Sequence, residues 1–238
     1  MCLKSARSQT VLEGKASFNT TLRDLLGDDF GFADPLAAMI TLEQLSTHTS
    51  GLPRLPDNMG PNPDGNPDPY AKYDREALHD FLRRVKLPGP PPHAAAYSNL
   101  GAGLLGDLLA SLHGVPWERL VIDRIATPLG LTDTKVSLDA SMKQRLAPPH
   151  RGDKTSTNWH FQALAGAGAL RSTAADMIRF GQALIDPEST PFPEAVRLMM
   201  KPRTAFSGPN SQIGLGSIQG SSLRQPAWEH NGGTGGYP

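Results

Sequence analysis

A tyrosine, a serine and an asparagine stand together where a proline-rich segment gives way to an apolar helix. Residues 88–92 are Pro-Gly-Pro-Pro-Pro, and Tyr97-Ser98-Asn99 precedes a predicted helix over 100–112. The first turn of a helix has unpaired backbone N–H groups and a positive partial charge. A phenol held there could lose and regain a proton. Taken alone, the same three residues could also be a simple N-cap with a half-buried aromatic beside it.

Composition narrows the classes of protein that this chain can belong to. With 238 residues, 38% hydrophobic and 19% charged, it is long enough to bury a core. The formal net charge of zero gives no electrostatic case for binding nucleic acid or an anionic membrane. The single cysteine, Cys2, and scattered histidines predict no disulfide, no metal and no cofactor. No apolar run is long enough to span a membrane, and residues 1–7 lack the apolar core of a signal peptide.

Helix-start signals predict a chain made mostly of short helices. Thr41 with Gln44 forms a capping box, and Asp74 precedes an amphipathic segment that extends to Arg84. The segment 53–70 is rich in Pro, Asn, Asp and Gly, which predicts an irregular, mobile surface loop. Residues 212–218 predict one strand whose glycines let another backbone pass closely. Further helices are predicted over 116–126, from 172–176 onward, and over 194–200.

Five stretches resemble, in the family's order, the serine β-lactamase and penicillin-binding protein superfamily. The resemblance is strongest to its class C-like branch, which includes D-alanyl-D-alanine peptidases and β-lactamase-like esterases. One such motif would carry little weight, whereas five in order identify the family. The stretches are LSTHTSGLP at 45–53, YSNLG at 97–101, PLGLTDT at 128–134, GALRSTAADM at 168–177 and HNGGTGGY at 230–237.

The resemblance extends from about residue 10 to the C-terminal end, and it implies an α+β fold of the β-lactamase/transpeptidase type. We expect a single, incomplete domain over 1–238. It would hold the helical region over about 10–205 and a partial antiparallel sheet over about 206–238.

The resemblance also assigns a role to the tyrosine stretch. In the family, the serine of a Ser-x-x-Lys element attacks an acyl carbonyl, and water hydrolyses the resulting acyl-enzyme. Tyr97 would be the general base that shares the serine's proton with the lysine, and Asn99 would orient the lysine and the substrate. Ser98 would fill the variable middle position beside the substrate without reacting.

The stretch His230-Asn231-Gly232-Gly233 resembles the family's third element, which begins with histidine in many esterase-like members. The triplet His230-Asn231-Gly232 would lie on a strand at the border of the cleft, and His230 would face Tyr97, where it supports proton transfer or binds a carboxylate. Gly232 and Gly233 would let the backbone approach the substrate, and the Gly233 N–H would donate to the oxyanion. The simpler alternative is an ordinary exposed histidine.

The family's nucleophile element does not occur in the sequence. Met1-Cys2-Leu3-Lys4 has methionine where the serine should stand, and its spacing to Glu13-Gly14 is several residues short. Ser141-Met142-Lys143 has the wrong spacing and location. Cys2 lies two residues before Lys4 rather than three, which disfavours it as a replacement nucleophile. We therefore expect a fragment of a serine hydrolase that is inactive by itself.

Two functions from different classes remain open at this stage. The first is acyl-enzyme hydrolysis of a small acyl substrate, which would be an ester, a D-Ala peptide or a β-lactam. The initial histidine of the third element, with no recognisable lactam-specific feature, favours an esterase or peptidase. The second is a nucleophile-less binding or regulatory module. Relatives commonly work in the periplasm or at the cell envelope, whereas a true start at Met1 would indicate the cytoplasm, and the oligomeric state stays open.

Overall fold

A computed structural model describes residues 2–60, 68–208, 210–220 and 227–237, with side chains from residue 5 onward. Its helices are α1 (Cys2–Leu12), α2 (Leu22–Leu26), α3 (Pro35–Ala38), α4 (Leu42–Ser46), α5 (Arg75–Arg84), α6 (Asn99–His113), α7 (Trp117–Val121), α8 (Ala140–Arg145), α9 (Ala174–Ile185) and α10 (Pro193–Met200). Its strands are β1 (His150–Arg151), β2 (Lys154–Thr155), β3 (Thr204–Ala205), β4 (Gln212–Ile213), β5 (Ile218–Gly220) and β6 (Ala227–Glu229). A π-helical turn, Ile122–Ala126, continues α7.

The strands form two antiparallel sheets, so the predicted α+β class is confirmed. β1 and β2 make a small hairpin within the helical part of the chain. β3, β4, β5 and β6 pair in sequence order, and β6 is aligned with β5 so that Trp228 lies opposite Gln219. The prediction that His230-Asn231-Gly232 lies on a strand is wrong, because β6 ends at Glu229 and the chain leaves the sheet there.

Local capping signals place the helix starts, as the sequence predicts. The Thr41 hydroxyl accepts the Gln44 backbone N–H, and the Gln44 side chain accepts the Thr41 N–H in return. The Asp74 carboxylate accepts the Ala77 N–H at the start of α5. Each of these bonds satisfies a backbone donor that a helix start leaves unpaired, and a lost cap costs about 1 kcal/mol.

Helix α6 is the centre of the hydrophobic core and packs against α1, α4 and α7. Gly103 on this helix permits a close approach, because a Cβ there would lie 2.5 Å from the Leu164 side chain. The short 3₁₀ turn Ala165–Ala167 therefore lies directly against α6. Burial of each leucine contributes about 1.5–3 kcal/mol, which holds the start of α6 firmly in place. Its fully buried leucines include Leu100, Leu104, Leu105 and Leu109.

The prediction of one strand over 212–218 is wrong, because the chain turns between β4 and β5. The Gly214 N–H donates to the Ser217 carbonyl oxygen at 2.8 Å, and Gly216 has a φ of +77°. A Cβ at residue 214 would lie 2.6 Å from the Met199 carbonyl oxygen, at the end of α10. The glycines therefore do allow a close backbone approach, but they make a turn rather than a strand interior.

The prediction of a surface loop over 53–70 is wrong at its C-terminal end. Asp68 and Tyr70 are both about 2% exposed, and Tyr70 belongs to the core. The Asp68 carboxylate accepts backbone N–H groups from Tyr70 and from His160, which ties this segment to a distant part of the chain. Residues 61–67, on which the prediction of mobility also falls, lie outside the described residues.

Candidate active site

The two predicted site stretches border one cleft of about 1160 Å³ between the start of α6 and the sheet. Tyr97 and Asn99 line it on the helical side, and His230, Asn231, Gly232 and Gly233 line it where the chain leaves β6. Ser98 is not among the residues that line the cleft. The tertiary structure thus brings together six of the seven predicted site residues.

Tyr97 and His230 face each other across this cleft. Their ring centroids lie 6.1 Å apart, and the ring planes are inclined by 57°. Tyr97 is half-buried beside the helix start, whereas His230 is exposed. The two rings come from stretches far apart in sequence, so only the packing of the sheet against the helical region sets this distance.

His48 holds the tyrosine stretch in position. Its ring centroid lies 4.6 Å from that of Tyr97, and its Nδ1 accepts the Ser98 backbone N–H at 3.2 Å. Nδ1 must therefore be unprotonated there. The His48 carbonyl oxygen accepts the Ala96 N–H at 2.8 Å, so the two segments lie side by side. The sequence has His48 inside the 45–53 stretch but indicates no role for it; its left-handed backbone, with φ at +58°, becomes evident only in the structure.

Burial and a nearby cation act in opposite directions on the Tyr97 hydroxyl. Desolvation raises the pKa of Tyr97 above its ordinary value, and the Arg54 guanidinium, 5.3 Å from the ring centroid, partly opposes this rise. Arg54 is itself anchored, because its carbonyl oxygen accepts the Leu100 N–H at 3.1 Å. A raised pKa means a protonated phenol at neutral pH. A further cation beside the Tyr97 oxygen would lower this pKa and favour the phenolate that acts as a base.

Ser98 serves as a helix cap in this structure. It is 1% exposed, its Oγ accepts the Gly101 N–H at 2.9 Å, and its hydroxyl donates to the Pro53 carbonyl oxygen at 2.7 Å. Asn99, by contrast, borders the cleft, and its Nδ2 donates to the Tyr70 hydroxyl at 2.9 Å. The amide is thus held in a defined orientation at the mouth of α6.

An aromatic wall that the sequence did not indicate closes another side of the cleft. Tyr70 stacks on Phe161 with ring centroids 4.3 Å apart, and Trp159 lies 5.4 Å from Tyr70. Asp68 connects the two segments of this wall, since its carboxylate also accepts a hydrogen bond from the His160 ring nitrogen Nδ1 at 2.9 Å. We name Tyr70, Trp159 and Phe161 the aromatic wall.

The glycines after His230 differ in what surrounds them. A Cβ at Gly232 would meet no atom within 4 Å, so the backbone there is open on the cleft side of the sheet. A Cβ at Gly235 would lie 2.5 Å from the Trp159 ring. The absence of a side chain at Gly235 thus lets the segment lie on the aromatic wall, while Gly232 and Gly233 line the cleft.

Within residues 2–60, 68–208, 210–220 and 227–237, no group of three or more His, Cys, Asp or Glu side chains could hold a metal ion. No helix in the same ranges is both long and apolar enough to cross a membrane.

A comparison with known protein families identifies the family of this chain. Residues 7–238 match the family model described as Beta-lactamase. Because this match covers almost the whole chain, the protein belongs to the Beta-lactamase family.

Several curated proteins are similar to this chain. The D-alanyl-D-alanine-carboxypeptidase/endopeptidase AmpH of Escherichia coli K12 is 37% identical over 144 residues, which cover 60% of this chain and 36% of that protein. Penicillin-binding protein 4 of Amycolatopsis lactamdurans is 27% identical over 194 residues, 77% of this chain and 48% of that protein. A beta-lactamase of Yersinia enterocolitica is 27% identical over 154 residues, 64% of this chain and 36% of that protein. The chain thus spans between about a third and a half of the length of these relatives.

Proposed function

We propose that the cleft is the substrate-binding and proton-transfer part of an acyl-serine hydrolase site. The observation that carries the proposal is the 6.1 Å approach of Tyr97 and His230 at one cleft, with Asn99 on the same side as Tyr97. Family membership supports it, because a phenol, an amide and a basic side chain around an acyl substrate suit the acyl-enzyme chemistry of serine hydrolases.

Each residue has a defined task in this proposal. The Tyr97 oxygen accepts the proton of the attacking serine hydroxyl as the serine oxygen bonds to the acyl carbon, and the proton then passes to the leaving group. Asn99 orients the substrate from the start of α6, and the Gly233 N–H donates to the carbonyl oxygen as it gains negative charge. Water then cleaves the acyl-serine bond.

The nucleophile itself is assigned to no residue of this chain. The sequence contains no Ser-x-x-Lys, and the raised pKa of Tyr97 fits a phenol that lacks a lysine beside it. We therefore propose that the chain as given binds substrate without turning it over. Joined to a Ser-x-x-Lys element, the same cleft would complete the hydrolytic site.

The substrate class that we propose is a D-alanyl peptide or a small ester rather than a β-lactam. Similarity to the protein named D-alanyl-D-alanine-carboxypeptidase/endopeptidase supports the peptide. His230 provides a further argument, since a histidine that borders the cleft can bind the terminal carboxylate of such a peptide.

Calorimetric titration of the chain with N-acetyl-D-alanyl-D-alanine, and with its L,L isomer, tests this proposal. We expect the D,D compound to bind more tightly, and His230→Ala to weaken its binding by about tenfold as a hydrogen bond to a charged group is lost. His150→Ala, a matched change of an exposed histidine outside the cleft, should stay within about twofold of the unchanged chain. Equal binding of both isomers would contradict the proposed substrate class.

Intact mass after incubation with a fluorophosphonate tests the assignment of the nucleophile. We expect no adduct on the folded chain. A stoichiometric adduct that Tyr97→Phe abolishes would show that this chain carries its own activated serine, and the binding-only proposal would then be wrong.

A further inference from the structure

A cavity of about 680 Å³ lies at the C-terminal end of α6 and shares no lining residue with the cleft. Asp107 and Ser111 of α6 line it, and so do Arg75 of α5, the turn over 114–117 and most of the segment 162–166. Its volume lies within the range of about 300–1,000 Å³ that is usual for small-molecule sites. We propose that this space, which we name the α6 cavity, binds a neutral carbohydrate.

Trp117 lines the α6 cavity and carries a hydrogen-bond donor that has no acceptor. The residue is 8% exposed, and within the described part of the chain its Nε1–H has no hydrogen-bond partner. Buried polar groups in folded proteins are nearly all paired, because an unpaired one keeps the cost of its desolvation. A ligand oxygen in the α6 cavity would supply the missing acceptor.

Two side chains of the same cavity offer acceptors. The Asp107 side chain is 9% exposed, and Arg75 donates to its Oδ1 twice, at 2.6 and 2.8 Å. Gln162 uses its amide nitrogen to donate to the Ala71 carbonyl oxygen. Among the described residues, no group donates to Asp107 Oδ2 or to Gln162 Oε1. The ligand must therefore bring donors for these two oxygens as well as an acceptor for the indole.

The charges in the lining cancel, because Arg75 and Asp107 pair with each other. An anionic ligand would meet the carboxylate and a cationic one the guanidinium, so a neutral ligand is favoured. A hydrocarbon would leave the indole donor unpaired and would desolvate the carboxylate. A hydroxyl group combines a donor with two acceptor lone pairs, and the C–H face of a sugar ring can pack on Ala110, Val115 and Pro116. A neutral carbohydrate meets all of these requirements.

One segment of the chain lines both the α6 cavity and the cleft. Phe161 and Gly168 line the cleft, whereas Gln162 and Gly166, which lie between them in sequence, line the α6 cavity. A Cβ at Gly166 would lie 2.7 Å from the Ala102 carbonyl oxygen, so the segment packs directly on α6 and divides the two spaces. A carbohydrate in the α6 cavity should therefore bind without displacing a ligand from the cleft.

Saturation-transfer NMR titration of the full chain with the methyl glycosides of glucose, galactose and N-acetylglucosamine tests the inference. The methyl glycosides of glucuronate and of glucosamine provide an anionic and a cationic counterpart. We expect saturable binding of at least one neutral glycoside. The charged counterparts should bind at least about fivefold more weakly, since each brings a like charge to one member of the Arg75–Asp107 pair.

Two variants test the hydrogen bonds that define the site. Trp117→Phe removes the indole N–H and keeps an aromatic ring, and Gln162→Leu removes an exposed amide. Each should weaken binding of the neutral glycoside by about threefold to tenfold, as loss of one hydrogen bond does. Trp228→Phe is the matched control, because it removes an indole N–H on β6 outside the α6 cavity, and its binding should stay within about twofold. Circular dichroism checks folding, and Gln162→Leu carries the test if Trp117→Phe does not fold.

The outcomes that would overturn the inference are specific. Absence of saturable binding for all three neutral glycosides would do so, as would undiminished binding by a folded Trp117→Phe or Gln162→Leu variant. Equal affinity for the charged counterparts would contradict the proposed ligand class. Excess N-acetyl-D-alanyl-D-alanine tests the location: unchanged glycoside binding supports the α6 cavity, whereas displacement would show that the sugar occupies the cleft instead.

Discussion

Arg7 on α1 is a fully buried cation whose removal should stabilise the protein. Within the described part of the chain, its three guanidinium nitrogens have no hydrogen-bond partner. The guanidinium lies 4.7 Å from the centroid of the Phe18 ring, and that of Arg203 lies 4.3 Å from the same centroid. Arg203 in turn pairs with Glu43. Two cations and one anion therefore share this region.

The energetic cost of the buried charge follows from its pKa. Burial, and secondarily the charge of Arg203, lower the pKa of Arg7 to about 9, against a smaller opposing effect of Glu43. Each unit by which a pKa is displaced corresponds to about 1.4 kcal/mol. The displacement of the Arg7 pKa by more than three units therefore corresponds to about 5 kcal/mol as an upper bound. Arg7→Met keeps most of the aliphatic packing and leaves Arg203 and Glu43 as a balanced pair.

We expect Arg7→Met to raise the free energy of unfolding by about 1–4 kcal/mol at neutral pH, as replacement of buried ionic groups by apolar ones of similar size often does. Urea denaturation of both proteins measures this difference. Arg119→Met is the matched control, because Arg119 is exposed and paired with Asp123 at 2.6 Å. That control should change stability by less than about 1 kcal/mol.

The stabilising effect of Arg7→Met should depend on pH. The folded-state pKa of Arg7 is lowered, so the energetic cost of its charge is fully present below about pH 9. Above that pH the folded protein binds fewer protons than the unfolded chain, and the cost falls as the pH rises. The advantage of Arg7→Met should therefore stay constant up to about pH 9 and shrink above that pH. A folded variant less stable than the unchanged chain at neutral pH would refute the reasoning, since it would show that the charge is compensated.

Three further changes test the contacts around the cleft. Arg54→Met should raise the pKa of Tyr97 further, because it removes the one effect that lowers it; an ultraviolet titration against Tyr97→Phe measures the change, and an unaltered tyrosine titration would contradict it. Gly235→Ala should destabilise the protein by about 1–3 kcal/mol, since the new methyl group would overlap the Thr157 carbonyl oxygen as well as the Trp159 ring, and an unchanged thermal midpoint would contradict this crowding. Ser98→Ala should cost about 1 kcal/mol in urea denaturation through loss of the α6 cap, with no loss of D,D-peptide binding; reduced binding by the folded variant would instead indicate a direct role with substrate.

The sequence alone was sufficient for features that depend on neighbouring residues. The Thr41–Gln44 and Asp74 caps act over three residues, so their positions predict where α4 and α5 begin. The five ordered motifs identified the family, and the Tyr97 and His230 stretches were recognisable in the sequence as two borders of the cleft. In each case the decisive information lies within one short segment.

The tertiary structure decided the features that depend on distant partners. A turn interrupts the strand predicted over 212–218, where Gly214 packs against the end of α10, and Tyr70 is buried where Asp68 binds the segment around His160. No local pattern in the sequence encodes these contacts.

The cleft likewise combines features that local sequence predicts with features that only tertiary packing sets. Local signals predict that Ser98 or Asn99 begins a helix, but the neighbours of Tyr97 come from elsewhere in the chain. His48 and Arg54 approach its ring from the 45–54 segment, and His230 approaches from the segment that follows β6. Helix caps are short-range hydrogen bonds that a sequence pattern records, whereas the walls of a cleft are set by the packing of whole elements around α6.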